Sequence, residues 1–531
     1  MVYAIKLLFA VLLLCAVVSP LLRRPFRGLI DDKDYWRCWI VIAGTAIVSF
    51  GSMKQVVFVV LVGIGAIIGA NLLGRDTRAR VTSYWMMVML YPPISLALGG
   101  VAGINRITDL NALRVLAIVL LVPVAVRLMA DKHLKVPGAM RLLDLLFISY
   151  PLMRLLMVAP YVATTVTVRT FVEILLDIWL PYYCTSRALR NADDVRFMVS
   201  RFCLALAWLA SVGVMEALLR RNVYSELEFI VGPVWQTTHR LMRGPFLRVE
   251  STFNTPIIMA FVMAAGHALW TWIGRSGTAT RGARLALGGL FLVTMAATFS
   301  RGPLLGWACF VVSMVCLRTL PPYTFGMLVL LAFVAGVGIS VTGQDQVIYD
   351  GLKTLFGSTE ADTSSIDYRR RLLTESVALI KQSPLWGVPN YLDALADMRQ
   401  GEGIIDLVNT YIAVTLGNGV IGLVLFLSPH VAVLAGLLRR LRVYEERPRR
   451  AFGTFAATMV AFTVCSLITI FTTSSFGGMR YLLTLVVALP AAWLALPAGE
   501  REKLDYRAAP DARARRRQEA PASGYAEPTW R

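Results

Sequence analysis

Residues 55–73 have the sequence QVVFVVLVGIGAIIGANLL, which contains no charged side chain. Roughly 20 apolar residues are needed for an α-helix to cross the hydrocarbon core of a bilayer. Similar apolar runs occur at 3–22, 37–53, 81–104, 111–130, 142–160, 166–185, 198–218, 256–274, 285–299, 303–318, 323–342, 409–437, 452–474 and 481–497. The sequence therefore predicts an all-α polytopic membrane protein with about 12–15 transmembrane helices.

The composition argues against a soluble protein. Charged residues make up 16% of the 531 residues, whereas an average soluble protein has roughly 25%. The formal net charge of +20 would by itself suit a nucleic-acid-binding protein. However, the basic residues collect in short loops between the apolar runs, as Arg23 and Arg24 do. We therefore expect no nucleic acid among the partners, and we expect basic segments to contact anionic membrane lipids.

The basic loops also predict how the chain is threaded. If these loops are cytoplasmic, every second loop obeys the positive-inside rule. Two longer loops, 219–255 and 343–408, then lie on the outer side, and the second has ten acidic and six basic residues. The chain divides into N-terminal transmembrane helices (1–218), a core with both outer loops (219–437), C-terminal helices (438–497) and a disordered basic tail (498–531).

Some arginines lie where the positive-inside rule disfavours them. Arg248 is in the first outer loop, and Arg301 is in a short Ser-Arg-Gly turn between two apolar runs. Because an unpaired charge at this depth costs on the order of a few kcal/mol, each either snorkels to lipid phosphate or forms a fixed cation for an anionic head group. Arg369 and Arg370 begin an amphipathic segment in the long loop, and form either a solvated helix face or a further contact to such a group.

Polar residues at the end of the long loop are candidates for acid–base chemistry. Asp406 and Asn409 precede a span at i, i+3 spacing, so they lie on one face of a helix. Asp406 is the candidate general base, Asn409 is its partner, and Glu250 and Glu375 are the reserves. The structural alternative is that Asp406 caps the helix.

Neither metal nor redox chemistry is predicted. The seven cysteines lie singly, without a C-x-x-C pattern. The four histidines show no spacing that suits a zinc site. We therefore expect no metal and no cofactor. Ionisable residues within spans are expected to pair between helices, for example Arg154 with Asp177.

The segments RVESTFNTP (248–256), TFSRG (298–302) and 369–388 together resemble motifs of the family of bacterial O-antigen ligases and O-antigen or exopolysaccharide polymerases. RVESTFNTP (248–256) is similar to the family's outer-loop stretch of Arg followed by G-T-F-x-N-P, and TFSRG (298–302) is similar to its Ser-Arg-Gly hinge. Residues 369–388, which end in PLWGV, resemble its loop helix, which closes on a P-x-x-G-x motif. Asn409-Thr410-Tyr411, with Gly417, Gly419 and Gly422 after it, resembles a His-Asn-x-Tyr stretch and a glycine-bearing helix. The resemblance makes Tyr411, with Arg369, Arg370, Glu250 and Glu375, a candidate substrate contact.

The resemblance implies a GT-C-like, metal-independent, inverting glycosyltransferase of the bacterial inner membrane, with its active site facing the periplasm. The implied substrate is an undecaprenyl-diphosphate-linked oligosaccharide, with Arg248 and Arg301 on the leaving diphosphate. A chain-length regulator and a flippase are the expected protein partners. The sequence departs from the family at Ser251, where glycine is usual, and at Val408, where histidine is frequent. Because ligases of the family depend on that histidine, a polymerase is favoured over a ligase, and a lipid-linked sugar transporter or flippase is the alternative outside the enzyme class.

Overall fold

The computed structural model describes residues 2–52, 54–99, 106–132, 136–224, 227, 242–243, 246–253, 255–317, 319, 360–399, 405, 407, 409–443, 455–473 and 478–505. The helices are α1 (Val2–Arg23), α2 (Asp32–Gly51), α3 (Gln55–Leu73), α4 (Thr77–Leu90), α5 (Ala112–Ala130), α6 (Gly138–Val158), α7 (Thr164–Ile174 and Leu180–Ala188, joined by a π-helical turn), α8 (Ala192–Leu219), α9 (Pro256–Ile273), α10 (Arg281–Ala297), α11 (Arg301–Cys316), α12 (Glu360–Gln382), α13 (Thr410–Val443), α14 (Phe455–Phe471), α15 (Met479–Ala495) and α16 (Ala498–Asp505). Two antiparallel hairpins pair β1 (Ser95–Gly99) with β2 (Arg106–Asn111) and β3 (Met242–Arg243) with β4 (Phe246–Leu247).

Within these residues, seven helices are long and apolar enough to cross a bilayer, namely α1, α3, α5, α6, α8, α9 and α13. Three shorter apolar helices are α11, α14 and α15. The prediction of an all-α polytopic membrane protein is confirmed. The span predicted at 323–342 lies outside the described residues.

The single helix predicted at 81–104 is wrong. α4 ends at Leu90, and the chain then forms the β1–β2 hairpin. Pro92 and Pro93 stop the helix, because proline lacks an N–H donor and disfavours helical geometry in the residue before it. The helix begins earlier than predicted, because the Asp76 side chain accepts a hydrogen bond from the backbone nitrogen of Ala79 at 2.7 Å and so caps it.

The π-helical turns of α5 and α7 have a common cause. They cover Ala117–Leu121 and Leu175–Trp179, and in each case a proline follows two residues later, at Pro123 and Pro181. A proline ring displaces the carbonyl group four residues before it, and a π-helical turn makes room for that displacement. Both spans therefore continue past their prolines.

The π-helical turn of α7 contains Asp177, which pairs with α5. The Nη2 atom of Arg114 lies 3.0 Å from Asp177 Oδ2, and its Nη1 atom lies 3.1 Å from Glu173 Oε1. The side chains of Arg114 and Asp177 are only 7% and 6% exposed. The predicted pair of Arg154 with Asp177 is therefore wrong, because Arg114 already forms the buried ion pair with Asp177.

The core lies around α8 and α9. In their apolar windows 72% and 83% of the residues are buried, compared with 28% for α1 and 17% for α6. Gly213 allows a close approach in the C-terminal half of α8: a Cβ atom there would lie 2.6 Å from Thr294 Cγ2 and 2.9 Å from Val249 Cγ1. The loop that carries Arg248 therefore rests directly on the central helix.

The start of the predicted disordered tail is ordered. Ala498–Asp505 forms α16, and Glu500 Oε2 accepts a hydrogen bond from the backbone nitrogen of Ala192 at 2.9 Å. The indole nitrogen of Trp272 donates to the carbonyl oxygen of Leu504 at 3.2 Å. These contacts hold the C-terminal helix against α8 and α9, and residues 506–531 lie outside the described part of the chain.

Candidate active site

Arg248 is anchored on the turn between α10 and α11. Its Nε atom donates to the carbonyl oxygen of Thr298 at 3.0 Å, and its Nη2 atom donates to Ser300 Oγ at 3.1 Å. The backbone nitrogen of Val249 donates to the carbonyl oxygen of Ala297 at 3.3 Å. The half-buried guanidinium group is therefore held beside the residue that precedes Arg301.

Both segments of this contact contain a residue with left-handed backbone geometry. Ser251 has φ 52° and Phe299 has φ 51°. Such geometry suits glycine and is unusual for other residues, and strained residues tend to cluster at functional sites. The ring of Phe299 stacks on Phe246 with a centroid distance of 5.2 Å. The positive φ at Ser251 also explains physically why glycine suits this position in the resembling family.

Glu250 points into the protein. Its side chain is buried and accepts a hydrogen bond from Asn222 Nδ2, while its backbone nitrogen donates to Glu216 Oε2 at 3.3 Å. The backbone nitrogen of Ser251 donates to the same Glu216 oxygen at 2.9 Å. Burial and the neighbouring Glu216 carboxyl raise the pKa of Glu250 to about 8, against the opposing effect of Arg248. At neutral pH the Glu250 carboxyl is largely protonated, so its geometry suits a brace for the Arg248 loop better than a general base.

Arg301 is the first residue of α11, which packs against α14 through two glycines one helical turn apart. A Cβ atom on Gly302 would collide with Thr472, and one on Gly306 would lie 2.7 Å from the carbonyl oxygen of Cys465. Small residues four positions apart allow membrane helices to approach closely. Arg301, which is exposed, is therefore carried next to the end of α14.

The end of α14 also holds the start of α13. The backbone nitrogen and the Oγ1 atom of Thr410 both donate to the carbonyl oxygen of Thr473, at 3.2 Å and 2.7 Å. Because Gly302 lies against Thr472 and Thr473, the start of α13 is adjacent to the start of α11. The fold therefore brings together Arg248, Arg301 and Asn409, which are far apart in the sequence.

Asn409 and Tyr411 have structural contacts of their own. Asn409 Oδ1 accepts hydrogen bonds from the backbone nitrogens of Tyr411 and Ile412 at 2.9 Å and 3.2 Å, so Asn409 caps α13. The hydroxyl of Tyr411 donates to the carbonyl oxygen of Leu467 at 2.7 Å. Asp406, the candidate base, lies outside the described residues, so its capping alternative stays untested as well.

The amphipathic helix predicted in the long outer loop is α12. Its buried side chains Leu372 and Ser376 are one turn apart, and Leu372 packs with Leu407 and Leu416. Arg370 and Glu375 are exposed. No hydrogen bond or ion pair among the described residues joins either side chain to Arg248 and Arg301, the arginine cluster. Arg370 is two positions from Leu372, about 200° around a helix, so it faces away from α13. The side chain of Arg369 lies outside the described part of the chain.

The turn after α12 is inserted into a break in α13. Gly419 has φ 64° and ψ −170° inside that helix. The next two backbone nitrogens, of Val420 and Ile421, donate to the carbonyl oxygens of Pro384 and Leu385 at 2.9 Å and 3.3 Å. The broken helix therefore recovers its backbone hydrogen bonds from the loop, as the interior of a membrane protein requires.

Some of the elements that form this site match a known protein family. Residues 285–427 match the family model described as O-antigen ligase. This segment is similar to the O-antigen ligase family. It contains α11, α12 and the broken part of α13, and the candidate residues Arg301, Arg369, Asp406 and Asn409 fall within it. Arg248 and the α8 and α9 core lie outside the matched residues. No curated protein matches the chain significantly.

Sequence reasoning named Ser300 and Thr410 but missed Thr472 and Thr473, and it missed that these hydroxyl groups together assemble the candidate site. Ser300, Thr410, Thr472 and Thr473 link the arginine turn to the starts and ends of three helices. Their sequence signal was a cluster of hydroxyl residues at the outer end of one span, 472–475. Among the described residues, no group of three or more His, Cys, Asp or Glu side chains is placed to hold a metal ion.

Proposed function

We propose that the protein is a polysaccharide polymerase. It transfers a glycan from undecaprenyl diphosphate to a lipid-linked repeat unit at the periplasmic face of the bacterial inner membrane. The observation that carries the proposal is the anchoring of Arg248 on the Thr298–Ser300 turn, immediately before Arg301. Arg248 is thereby held next to the turn that carries Arg301, at the edge of the segment that is similar to the O-antigen ligase family.

The chemistry needs a cation at the leaving group. The acceptor hydroxyl oxygen forms a bond to the anomeric carbon of the donor sugar, while the bond from that carbon to the phosphate oxygen breaks. The electron pair of the broken bond stays on undecaprenyl diphosphate, so negative charge grows there in the transition state. Guanidinium groups held in place before the reaction stabilise this charge without reorganisation, and their planar fork suits phosphate oxygens.

The N-termini of two helices add to the positive electrostatic potential of these guanidinium groups. α11 begins at Arg301 and α13 begins at Thr410, so two helix N-termini lie beside the cluster. Each N-terminus carries a partial positive charge that attracts anions. The first backbone N–H groups of α13 already donate to Thr473 and Asn409, so α13 contributes the charge of its helix end alone. We propose that these groups and the two arginines, rather than a metal ion, hold the diphosphate.

The proton of the acceptor hydroxyl must pass to a base as the glycosidic bond forms. Asp406 remains the candidate, because it lies three residues before Asn409 in the sequence and no other proposed base is exposed beside the cluster within the described residues. Asn409 uses its side-chain oxygen as a helix cap. Its amide nitrogen is then the atom that would orient the acceptor, and inversion at the anomeric carbon follows from a single displacement.

A ligase is the second candidate, and the family description favours it. A ligase would move a finished glycan to a different acceptor. Val408 in place of the family's frequent histidine supports the polymerase instead.

The deciding experiment uses the purified full-length protein in lipid nanodiscs with an undecaprenyl-diphosphate-linked repeat unit and a chelator. A polymerase produces a ladder of lipid-linked chains on a gel. A ligase leaves the single repeat unit unextended until a foreign acceptor is added. A carrier gives no new glycosidic bond with either acceptor, and that result would refute the enzyme proposal.

A further inference from the structure

A cavity lies between α6, α7, α13 and α15, away from the contacts that anchor Arg248. Its volume is about 550 Å³. Arg154 and Arg480 line it, together with apolar side chains that include Phe147, Pro151 and Phe426. It therefore combines a cationic part with an apolar part in one space.

The charges lie toward the outer end of this cavity. Arg154 is four residues before the end of α6, and Arg480 is the second residue of α15. Phe147 is seven residues deeper along α6 than Arg154, about 10 Å at the helical rise. With both helices threaded as the positive-inside rule predicts, the cations are near the periplasmic surface and the apolar walls extend toward the bilayer centre.

The two arginines of the cavity form no ion pair with the carboxylate that also lines it. Glu173 also lines it, but its Oε1 atom pairs with Arg114 at 3.1 Å. Among the described residues, no carboxylate forms an ion pair with Arg154 or Arg480. Both arginines are exposed near helix ends, where such side chains reach toward anionic head groups, and two of them lining one cavity mark a place where an anion is expected.

The cavity is next to the first site. Arg480 follows Met479, whose sulfur lies 3.9 Å from Thr473 Oγ1. Thr473 in turn accepts the hydrogen bonds of Thr410 beside Asn409 and Arg301. A lipid head group at Arg480 and another at Arg301 would therefore both lie near these helix ends.

We propose that this cavity binds the acceptor's isoprenoid diphosphate, with Arg154 and Arg480 on the diphosphate and the apolar walls on the first isoprene units. The proposal rests on the proposed function, because it assigns the second of the two lipid-linked substrates that a polymerase needs. α6 and α13, which form two of the walls, have only 17% and 28% of their apolar windows buried. Their remaining faces meet the bilayer, from which the lipid would enter.

The test counts the molecules of undecaprenyl diphosphate bound by the full-length protein, using native mass spectrometry. We expect two bound molecules per wild-type chain. The double variants Arg154→Gln/Arg480→Gln and Arg248→Gln/Arg301→Gln should each bind one. The control Arg169→Gln, on α7 outside the cavity lining, should bind two. Loss of both guanidinium groups of the cavity should weaken the binding of undecaprenyl diphosphate there roughly tenfold or more. One molecule per wild-type chain, or two on the Arg154→Gln/Arg480→Gln variant, would overturn the proposal.

Two further measurements define the ligand. Leu155→Trp fills the cavity without changing charge, so it should also reduce the count to one, and an unchanged count contradicts the assignment. Excess phosphatidylglycerol should not displace the second molecule, and displacement would identify a general anionic-lipid site instead. Because binding needs no turnover, two bound molecules without glycosyl transfer would refute only the proposed function, whereas transfer with one bound molecule would refute only the cavity assignment.

Discussion

The backbones of Gly387 and Gly419 are in direct contact. A Cβ atom on Gly387 would lie 2.5 Å from the backbone nitrogen of Gly419, and one on Gly419 would collide with the carbonyl group of Leu385. Both glycines have positive φ, of 74° and 64°. The turn of the outer loop and the break in α13 are therefore one structural unit, which ties the loop helix α12 to a membrane span.

Gly387→Ala and Gly419→Ala should each destabilise the protein by more than about 2 kcal/mol, because a side chain adds backbone strain at positive φ and also collides with backbone atoms. The measurement is the free energy of unfolding, or the melting temperature, of the purified protein in detergent. The control is Gly289→Ala on α10, where the added Cβ meets no atom within 4 Å. If all three variants have the same melting temperature, the close contact between the two glycines does not exist in solution.

Arg301→Lys should lower glycosyl transfer roughly a hundredfold or more, because an ammonium group cannot form the two parallel bonds of a guanidinium fork. Expression and melting temperature should match the wild type, since Arg301 is exposed. The matched control is Arg281→Lys, at the other end of α10. Normal polymer from Arg301→Lys would remove this arginine from the site.

Glu250→Gln should reduce the dependence of stability on pH. Burial raises the pKa of Glu250 from 4.5 to about 8, so the folded state holds a proton that the unfolded state loses. This contribution is fully present below pH 4.5 and is lost as the pH rises through 8. The melting temperature of the wild type should therefore fall more steeply over this window than that of Glu250→Gln. The control Glu375→Gln removes an exposed carboxyl group and should follow the wild type, and equal slopes for Glu250→Gln and the wild type would contradict the burial of Glu250.

Arg114→Gln should destabilise the protein by about 3–5 kcal/mol, because it leaves the buried carboxylate of Asp177 without its partner. Arg114→Gln/Asp177→Asn should recover part of the loss, since both charges are then absent. Thermal melting of the single and double variants measures the coupling. Arg154→Gln is the comparison: a loss as large as that of Arg114→Gln would mean that Asp177 pairs with Arg154 after all.

The sequence predicted most of the helices, because each apolar run needs about 20 residues to cross the bilayer and must satisfy its own backbone hydrogen bonds. The hairpin after α4 was missed, because its first strand, Ser95–Gly99, is apolar enough to extend the predicted span and only Pro92 and Pro93 mark the change. The partner of Asp177 was also missed, because hydropathy identifies helices without saying which helices are neighbours.

The sequence by itself determined that the chain is a membrane protein with an O-antigen ligase-like segment, and it singled out Arg248, Arg301 and Asn409. Only the tertiary structure decided that these residues meet, through hydrogen bonds to Thr298, Ser300 and Thr473 that connect separate helices. The reason is physical. The length of an apolar run is a property of one helix and can be read from the sequence. Close packing at Gly302 and Gly306 depends on the shapes of two helix surfaces, which only the tertiary structure shows.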